Sequence, residues 1–287
     1  MITPRTRAVL DRYALASRSL SQASGERLAS EAGQSVEFHD FRPYQPGDEL
    51  RYVDWRVYAR TGRLYTRLYQ AERNIALHTV LDTSPSMSLG HKARFARVLA
   101  QILSYVAQRD SVSQVHLFDG SKSQPSHGLA RVGAAWRFIE DAPDVTGQQP
   151  VESLKSFALN TRFSSGAGLA LVISDLFDEA SLRPALVALK ARKLDASFLH
   201  VMAEEDLDPE VGQLEVVDIE TDEKLVVSPD EVRAYKRAVT RFIERTRSTV
   251  LRAGFRYTLL RVAEEPDEVL EKRAFAELIR AGILNKR

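Results

Sequence analysis

Cysteine is absent from the 287 residues. This one absence removes disulfides, thiolate metal ligands and a cysteine nucleophile, and it fits a reducing compartment. An excess of either charge is also lacking. Forty basic against 39 acidic side chains leave a net charge of +1, which gives no global attraction to nucleic acid or to an anionic membrane. Long hydrophobic runs are missing too. The densest stretches, such as Leu169 to Ile173, fall far short of the ~20 apolar residues that cross a bilayer. Near the N-terminus Arg5, Arg7, Asp11, Arg12 and Arg18 stand where a signal peptide would have its apolar core. No Gly-x-x-x-x-Gly-Lys-Ser/Thr run occurs, so the chain is not expected to hydrolyse ATP. Internal repeats and low-complexity tracts are absent. The expectation is a soluble cytoplasmic protein without membrane insertion.

What is present is an ordinary globular composition, 44% apolar and 28% charged. The pattern divides the chain at about residue 74. Residues 1–74 read as an N-terminal extension that opens with a helix near Pro4–Ser19. Pro43, Pro46 and Gly47 then impose a turn, and Leu64 to Tyr69 alternates like a strand. From Ile75 onward, short apolar runs alternate with helical periods. Ile75 to Leu81, Val112 to Phe118, Leu169 to Ile173 and Phe198 to Met202 are predicted strands. Phe95, Val98, Leu99, Ile102, Leu103 and Val106 form one apolar helix face about three turns long. Leu182, Leu186 and Leu189 mark another helix. Strands alternating with helices predict an α/β fold, a doubly wound and mainly parallel sheet covered on both faces, with the extension packed on it. Residues 210–287 continue the rhythm: a hairpin at Leu214–Val227, a helix at Pro229–Arg252 with Gly254 as its C-cap, a strand at Phe255–Val262 and a helix at Asp267–Ile283. This part is expected to extend the domain at 75–287 rather than to form another.

Chemistry concentrates where two predicted strands end. Asp82, Ser84 and Ser86 place one carboxylate and two hydroxyls at alternate positions after the first strand of the sheet. In open α/β sheets ligands bind at that edge. Hard oxygen donors suit Mg²⁺ or Mn²⁺ rather than zinc or copper, and two neutral hydroxyls leave a cation under-neutralised. Asp175, followed by Asp178, ends the strand at Leu169–Ile173, and neighbouring strand ends can bring it to the same crevice. The plainer explanation of Asp82, Ser84 and Ser86 is a helix N-cap; for Asp175 it is a strand-end cap.

Asp82-Thr-Ser-Pro-Ser86 resembles the Asp-x-Ser-x-Ser signature of von Willebrand factor A domains, and Ser174-Asp175 resembles their distal aspartate. Upstream, Tyr44, Gly47, Asp48, Arg51, Asp54, Trp55, Ala59 and Arg60 stand at the spacing of a block in the domain-of-unknown-function 58 family, where it precedes such a domain. The resemblance covers Ser35 to the C-terminus. It implies a metal-ion-dependent adhesion site at Asp82, Ser84, Ser86 and Asp175, completed by a threonine. By register the threonine's place falls near Gln149, with Thr146 just upstream. Either Thr146 serves, or Gln149 offers its amide oxygen, or the site is weakened. The resemblance further implies a non-enzymatic binding module whose protein partner donates a carboxylate to the metal. Members of that family are often encoded beside MoxR-type AAA ATPases, which implies such an ATPase as partner in protein maturation or complex assembly. The competing class is a Mg²⁺- or Mn²⁺-dependent phosphoester hydrolase using Asp82, Asp175 and Asp178. No base for it is evident in the sequence.

Two further groups are read as structural. Arg51, Arg56, Arg60, Arg63, Arg67 and Arg73 alternate with Tyr52, Trp55, Tyr58, Tyr65 and Tyr69, a pattern that could bind a nucleic-acid strand. Asp48, Glu49, Asp54 and Glu72 cancel much of that charge, so ion pairs are expected, with Asp48 and Asp54 held by Arg51 or Arg60. The six histidines show no metal-ligand spacing, and His78, His116 and His200 inside predicted strands are expected to be packed.

Overall fold

A computed structural model describes residues 2–16, 36–71, 76–143, 153–160, 168–177, 179–192, 194–209, 214–217, 224–227 and 229–287. The chain forms two compact units, Met1–Gln22 with Ile75–Arg287, and Ala23–Asn74. The expected extension of residues 1–74 is therefore shorter at its start, because the first 22 residues belong to the larger unit.

Helix α1 (Pro4–Leu10) starts where the Thr3 side chain accepts the Thr6 amide and proline, which has no amide hydrogen to satisfy, occupies its first turn. It is shorter than the predicted Pro4–Ser19 helix. Tyr13–Leu15 instead form β1, antiparallel to a short C-terminal strand at Leu284–Lys286. The cross-strand ladder claims the backbone groups that a longer helix would need. Thr3 and Thr6 bind the buried Glu271 carboxylate, with Thr3 N at 3.0 Å and Thr6 Oγ1 at 2.5 Å, and Tyr105 donates to Asp11 at 3.0 Å.

The smaller unit contains β2 (Val36–Pro43), helix α2 (Trp55–Thr61) and β3 (Tyr65–Ala71), with β2 and β3 antiparallel around a bulge between Phe38 and Asp40. Asp54 caps α2 through the amides of Arg56 and Val57, and Gly62 ends it in the left-handed region at φ 66°. The acids here are held by charged neighbours, but not by those expected. Asp48 pairs with Arg42 at 2.5 Å and accepts Thr66 Oγ1 at 3.0 Å. Asp54 pairs with Arg67 at 2.8 Å. Arg51 pairs with Glu49 instead. The antiparallel register decides this, because it lays Arg42 and Thr66 opposite each other. Hydrogen bonding to Arg67 and to the α2 amides holds the Asp54 carboxyl below the usual carboxylate range.

In the larger unit, β4 (Ala76–Leu81), helix α3 (Lys92–Asp110), β5 (Val112–Leu117), helices α4 (Val132–Glu140) and α5 (Ser153–Asn160), β6 (Gly168–Ser174), helix α6 (Glu179–Ala191) and β7 (Asp195–Ala203) follow in order. After them come the short helix α7 (Glu204–Leu207), a hairpin of β8 (Leu214–Val217) and β9 (Lys224–Val227), helix α8 (Pro229–Arg252), β10 (Arg256–Val262), helix α9 (Asp267–Arg280) and β11 (Leu284–Lys286). The central sheet has the order β10-β7-β6-β4-β5 and every pairing in it is parallel.

Alternate side chains serve opposite faces, as the two-residue strand period requires. Leu169, Leu171 and Ile173 of β6 join a core with Phe95, Leu99 and Ile102 of α3, Trp136 of α4 and Leu278 of α9. Ala170 and Val172 face the other way, toward Phe157 of α5 and Leu182, Leu186 and Leu189 of α6. The sheet is therefore doubly wound, as predicted, and β10 extends it. From β4 the chain goes through α3 to β5 on one side, and from β6 through α6 to β7 on the other. The β4–β6 boundary is thus the switch point, where the loops diverge and leave a crevice at the strand ends. Among the described residues no helix is long and apolar enough to cross a membrane.

Candidate metal centre

β4 and β6 run in register, with Leu81 opposite Ile173. The residues that follow each strand are thereby delivered to the same place. The Asp82 amide donates to the Ile173 carbonyl at 3.0 Å. The Asp82 carboxylate accepts the Ser84 amide at 2.8 Å on Oδ1 and the Ser174 hydroxyl at 2.5 Å on Oδ2. Ser174 Oγ in turn accepts the Leu176 amide at 2.9 Å. Asp82 and Asp175 are both buried, 4% and 1% exposed. The two predicted strand-end acids therefore share one site.

Ser84 and Ser86 lie half-buried in the loop that leaves β4. Ser84 occupies the N-cap of a 3-10 turn at Pro85–His91, yet its side chain makes no capping hydrogen bond. Its hydroxyl lies 3.0 Å from the hydroxyl of Ser86, which also hydrogen-bonds the Asp175 carboxylate. Capping thus does not explain the serines. Two oxygens on adjacent corners of an octahedron stand about 2.8–3.0 Å apart when each is about 2.0–2.1 Å from a Mg²⁺, and the hydroxyl pair, at 3.0 Å, falls in that range.

Lys92, the first residue of α3, is fully buried beside the acids. Its Nζ lies 3.0 Å from Asp175 Oδ2 and 2.8 Å from Asp206 Oδ2, and 5.2 Å from the centre of the Phe177 ring. Asp206, in α7, also accepts the Ala203 amide at 3.0 Å. Neither residue belongs to the Asp82–Ser86 or Ser174–Asp175 motifs. A signal existed for Lys92, since a basic residue in the first turn of a helix opposes the helix dipole and requires a partner. Asp206 stands among Glu204, Glu205 and Asp208 and has no such mark.

Burial and the charge of Asp175 push the Asp82 carboxyl up to about 7. Burial also raises Asp175, against the opposing pull of Lys92 and the hydrogen bond from Ser86. With all groups ionised, the carboxylates of Asp82, Asp175 and Asp206 and the ammonium of Lys92 leave a formal charge of −2. Among the described residues no three of His, Cys, Asp or Glu converge as metal ligands, so a cation here depends on the serine hydroxyls. The donors fit a small divalent ion in oxygen type, hydroxyl spacing and charge. Thr146, Gln149 and Asp178 lie outside the described residues.

The surrounding backbone is drawn tight. Leu176 follows Asp175 at φ 54°, and Gly90 and His91 close the serine loop at φ 55° and 61°. A Cβ on Gly90 would meet Ala203 Cβ at 2.2 Å, so only glycine permits this approach of the loop to the end of β7. His200, opposite Ser174, lies 2.6 Å from the Tyr257 hydroxyl and is held neutral by burial, which lowers it to about 4. His78 and His116 bond each other at 3.0 Å beside Phe157. These three imidazoles are packed, as expected from their strand positions.

The family described as protein of unknown function DUF58 matches residues 40–247. An uncharacterised protein of Mycobacterium bovis and those of two strains of Mycobacterium tuberculosis are each 27% identical over an alignment of 217 residues that covers 69% of this chain. The chain spans 65% of the length of these relatives. A crystal structure of the conserved hypothetical protein BatB from Bacteroides thetaiotaomicron is similar with a TM-score of 0.45 and 15% identity, covering 72% of this chain and 98% of that one.

Proposed function

The chain belongs to the DUF58 family, and on that premise we propose that it is a metal-dependent protein-binding module of the von Willebrand factor A type. The observation that carries this reading is the pair of uncapped serine hydroxyls, 3.0 Å apart, beside a buried cluster of formal charge −2. Asp82, Ser84 and Ser86 would hold Mg²⁺ or Mn²⁺, with Asp175 acting on the ion through Ser86. When bound, the cation supplies a Lewis-acidic position that a carboxylate from outside can fill. The half-buried serines leave that side open to solvent, while Ser174 and the Ser84 amide hold the Asp82 carboxylate in a fixed orientation.

The partner in this reading is a protein that presents an aspartate or glutamate. The resemblance of the upstream block and the serine loop to families encoded beside MoxR-type AAA ATPases supports such an ATPase, with a role in protein maturation or complex assembly. Cysteine-free composition supports a cytoplasmic setting. A binding role without catalysis is supported by the commitment of His200, the imidazole on the neighbouring strand, to Tyr257.

The test is capture of a purified MoxR-type ATPase on the immobilised protein in Mn²⁺, with EDTA and with Asp82→Ala. Capture that disappears under both treatments supports the reading. Capture indifferent to both would sink it. Phosphoester hydrolysis in Mn²⁺ that is lost in Asp82→Ala would replace it with the hydrolase.

A further inference from the structure

Lys92 is the unexpected member of the site. A buried ammonium is costly unless paired, and here two carboxylates from different elements meet it, Asp175 after β6 and Asp206 in α7. Its side chain is 0% exposed, so solvent supplies no alternative counter-charge. The face of Phe177 lies against it on a further side. The ammonium has a fixed place in a site that otherwise consists of acids and hydroxyls.

We propose that Lys92 sets the valence of the ion the site accepts: its ammonium, shared by Asp175 and Asp206, cancels one of three buried negative charges, so that a divalent cation and not a trivalent one neutralises the cluster. This rests on the metal-binding reading above. Lys92 and Asp206 are positioning residues here, since neither offers a donor among the serine hydroxyls. Lys92 holds Asp175 beside Ser86, and Asp206 holds Lys92. The tight approach of the serine loop to the end of β7 at Gly90 keeps both ends of this bridge in place.

The experiment measures Mn²⁺ and Tb³⁺ affinities of the full chain by calorimetry and lanthanide luminescence, and reads the ratio of the two. Lys92→Met removes the positive charge at nearly the same volume, and the Tb³⁺ preference is expected to rise by about tenfold or more, the effect of one unit charge a few ångströms away at protein dielectric. Asp206→Asn removes one negative charge and should move the ratio in the opposite direction. The double variant returns the cluster to −2 and should restore the wild-type ratio, and it also removes one of the two carboxylates that Lys92→Met leaves without a counter-charge. A ratio unchanged from wild type in Asp206→Asn, or in folded Lys92→Met, would overturn the proposal while Mn²⁺ binding lost in Asp82→Ala left the metal reading standing. Equal Mn²⁺ binding by wild type and Asp82→Ala would remove the metal reading and this proposal with it.

Discussion

Lowering the pH from about 7.5 to about 5 should cost the larger unit roughly 4 kcal/mol through His78 and His116 alone. The two imidazoles stand on β4 and β5, 4% and 5% exposed, and bond each other at 3.0 Å. Burial lowers His78 from 6.5 to about 4, and burial together with the charges of His78 and Lys122 lowers His116 to about 3. In the unfolded chain each takes up a proton near pH 6.5, whereas in the folded protein neither does until far lower. The unfolded state therefore binds more protons below pH 6.5. The stability is fully present above that value and is lost as the pH falls toward about 4. At 1.36 kcal/mol per pH unit, the descent from about 6.5 to about 5 amounts to about 2 kcal/mol for each group. The assay is urea unfolding at both pH values, followed by the fluorescence of Trp136, which is buried in the larger unit, in a Trp55→Phe background. The comparison is a His78→Leu/His116→Leu variant, which replaces both members of the imidazole pair with apolar groups, so that neither ring loses its partner alone. The wild type should lose about 4 kcal/mol more than the variant between the two conditions. A difference under about 1 kcal/mol would show that the buried imidazoles accept protons without cost and would refute the reasoning.

Three other outcomes are expected. Mn²⁺ at about a hundredfold excess over its dissociation constant should stabilise the wild type by about 2.7 kcal/mol and leave Asp82→Ala unchanged, as read from urea midpoints with and without the ion. Gly90→Ala should destabilise by at least about 2 kcal/mol, since a methyl group there enters the space of Ala203 on a backbone at φ 55°; it should also weaken Mn²⁺ binding in calorimetry by displacing the serine loop. Asp54→Ala removes the cap of α2 and the partner of Arg67, a loss of about 1–2 kcal/mol visible as faster hydrogen exchange at the Arg56 and Val57 amides, and unchanged exchange there would contradict the capping role.

Much of this arrangement is legible without coordinates because it rests on local periods. A continuous apolar run at Leu169–Ile173 and a helical repeat from Phe95 to Val106 name a buried strand and a core-facing helix, whatever else the chain does. Asp82, Ser84 and Ser86 are adjacent in the sequence, so their chemistry can be seen together, and Asp175 is found by the same strand-end rule. The misreadings have one cause in common. The helix at Pro4 stops at Leu10 because Tyr13–Leu15 pair with residues about 270 positions later. Asp48 takes Arg42 because the hairpin lays Arg42 opposite Thr66, which also binds Asp48, and Asp54 takes Arg67 because Val53 bridges Thr66.

The alternation of strands and helices, the doubly wound sheet and the serine loop at its edge are thus determined by the sequence itself, through side-chain periods that act within a few residues. The charge of the site was decided only by tertiary structure. Lys92 and Asp175 lie 83 positions apart, and nothing local joins either to Asp206. The parallel register of β4, β6 and β7 carries all three to one sheet edge, where burial makes their pairing obligatory.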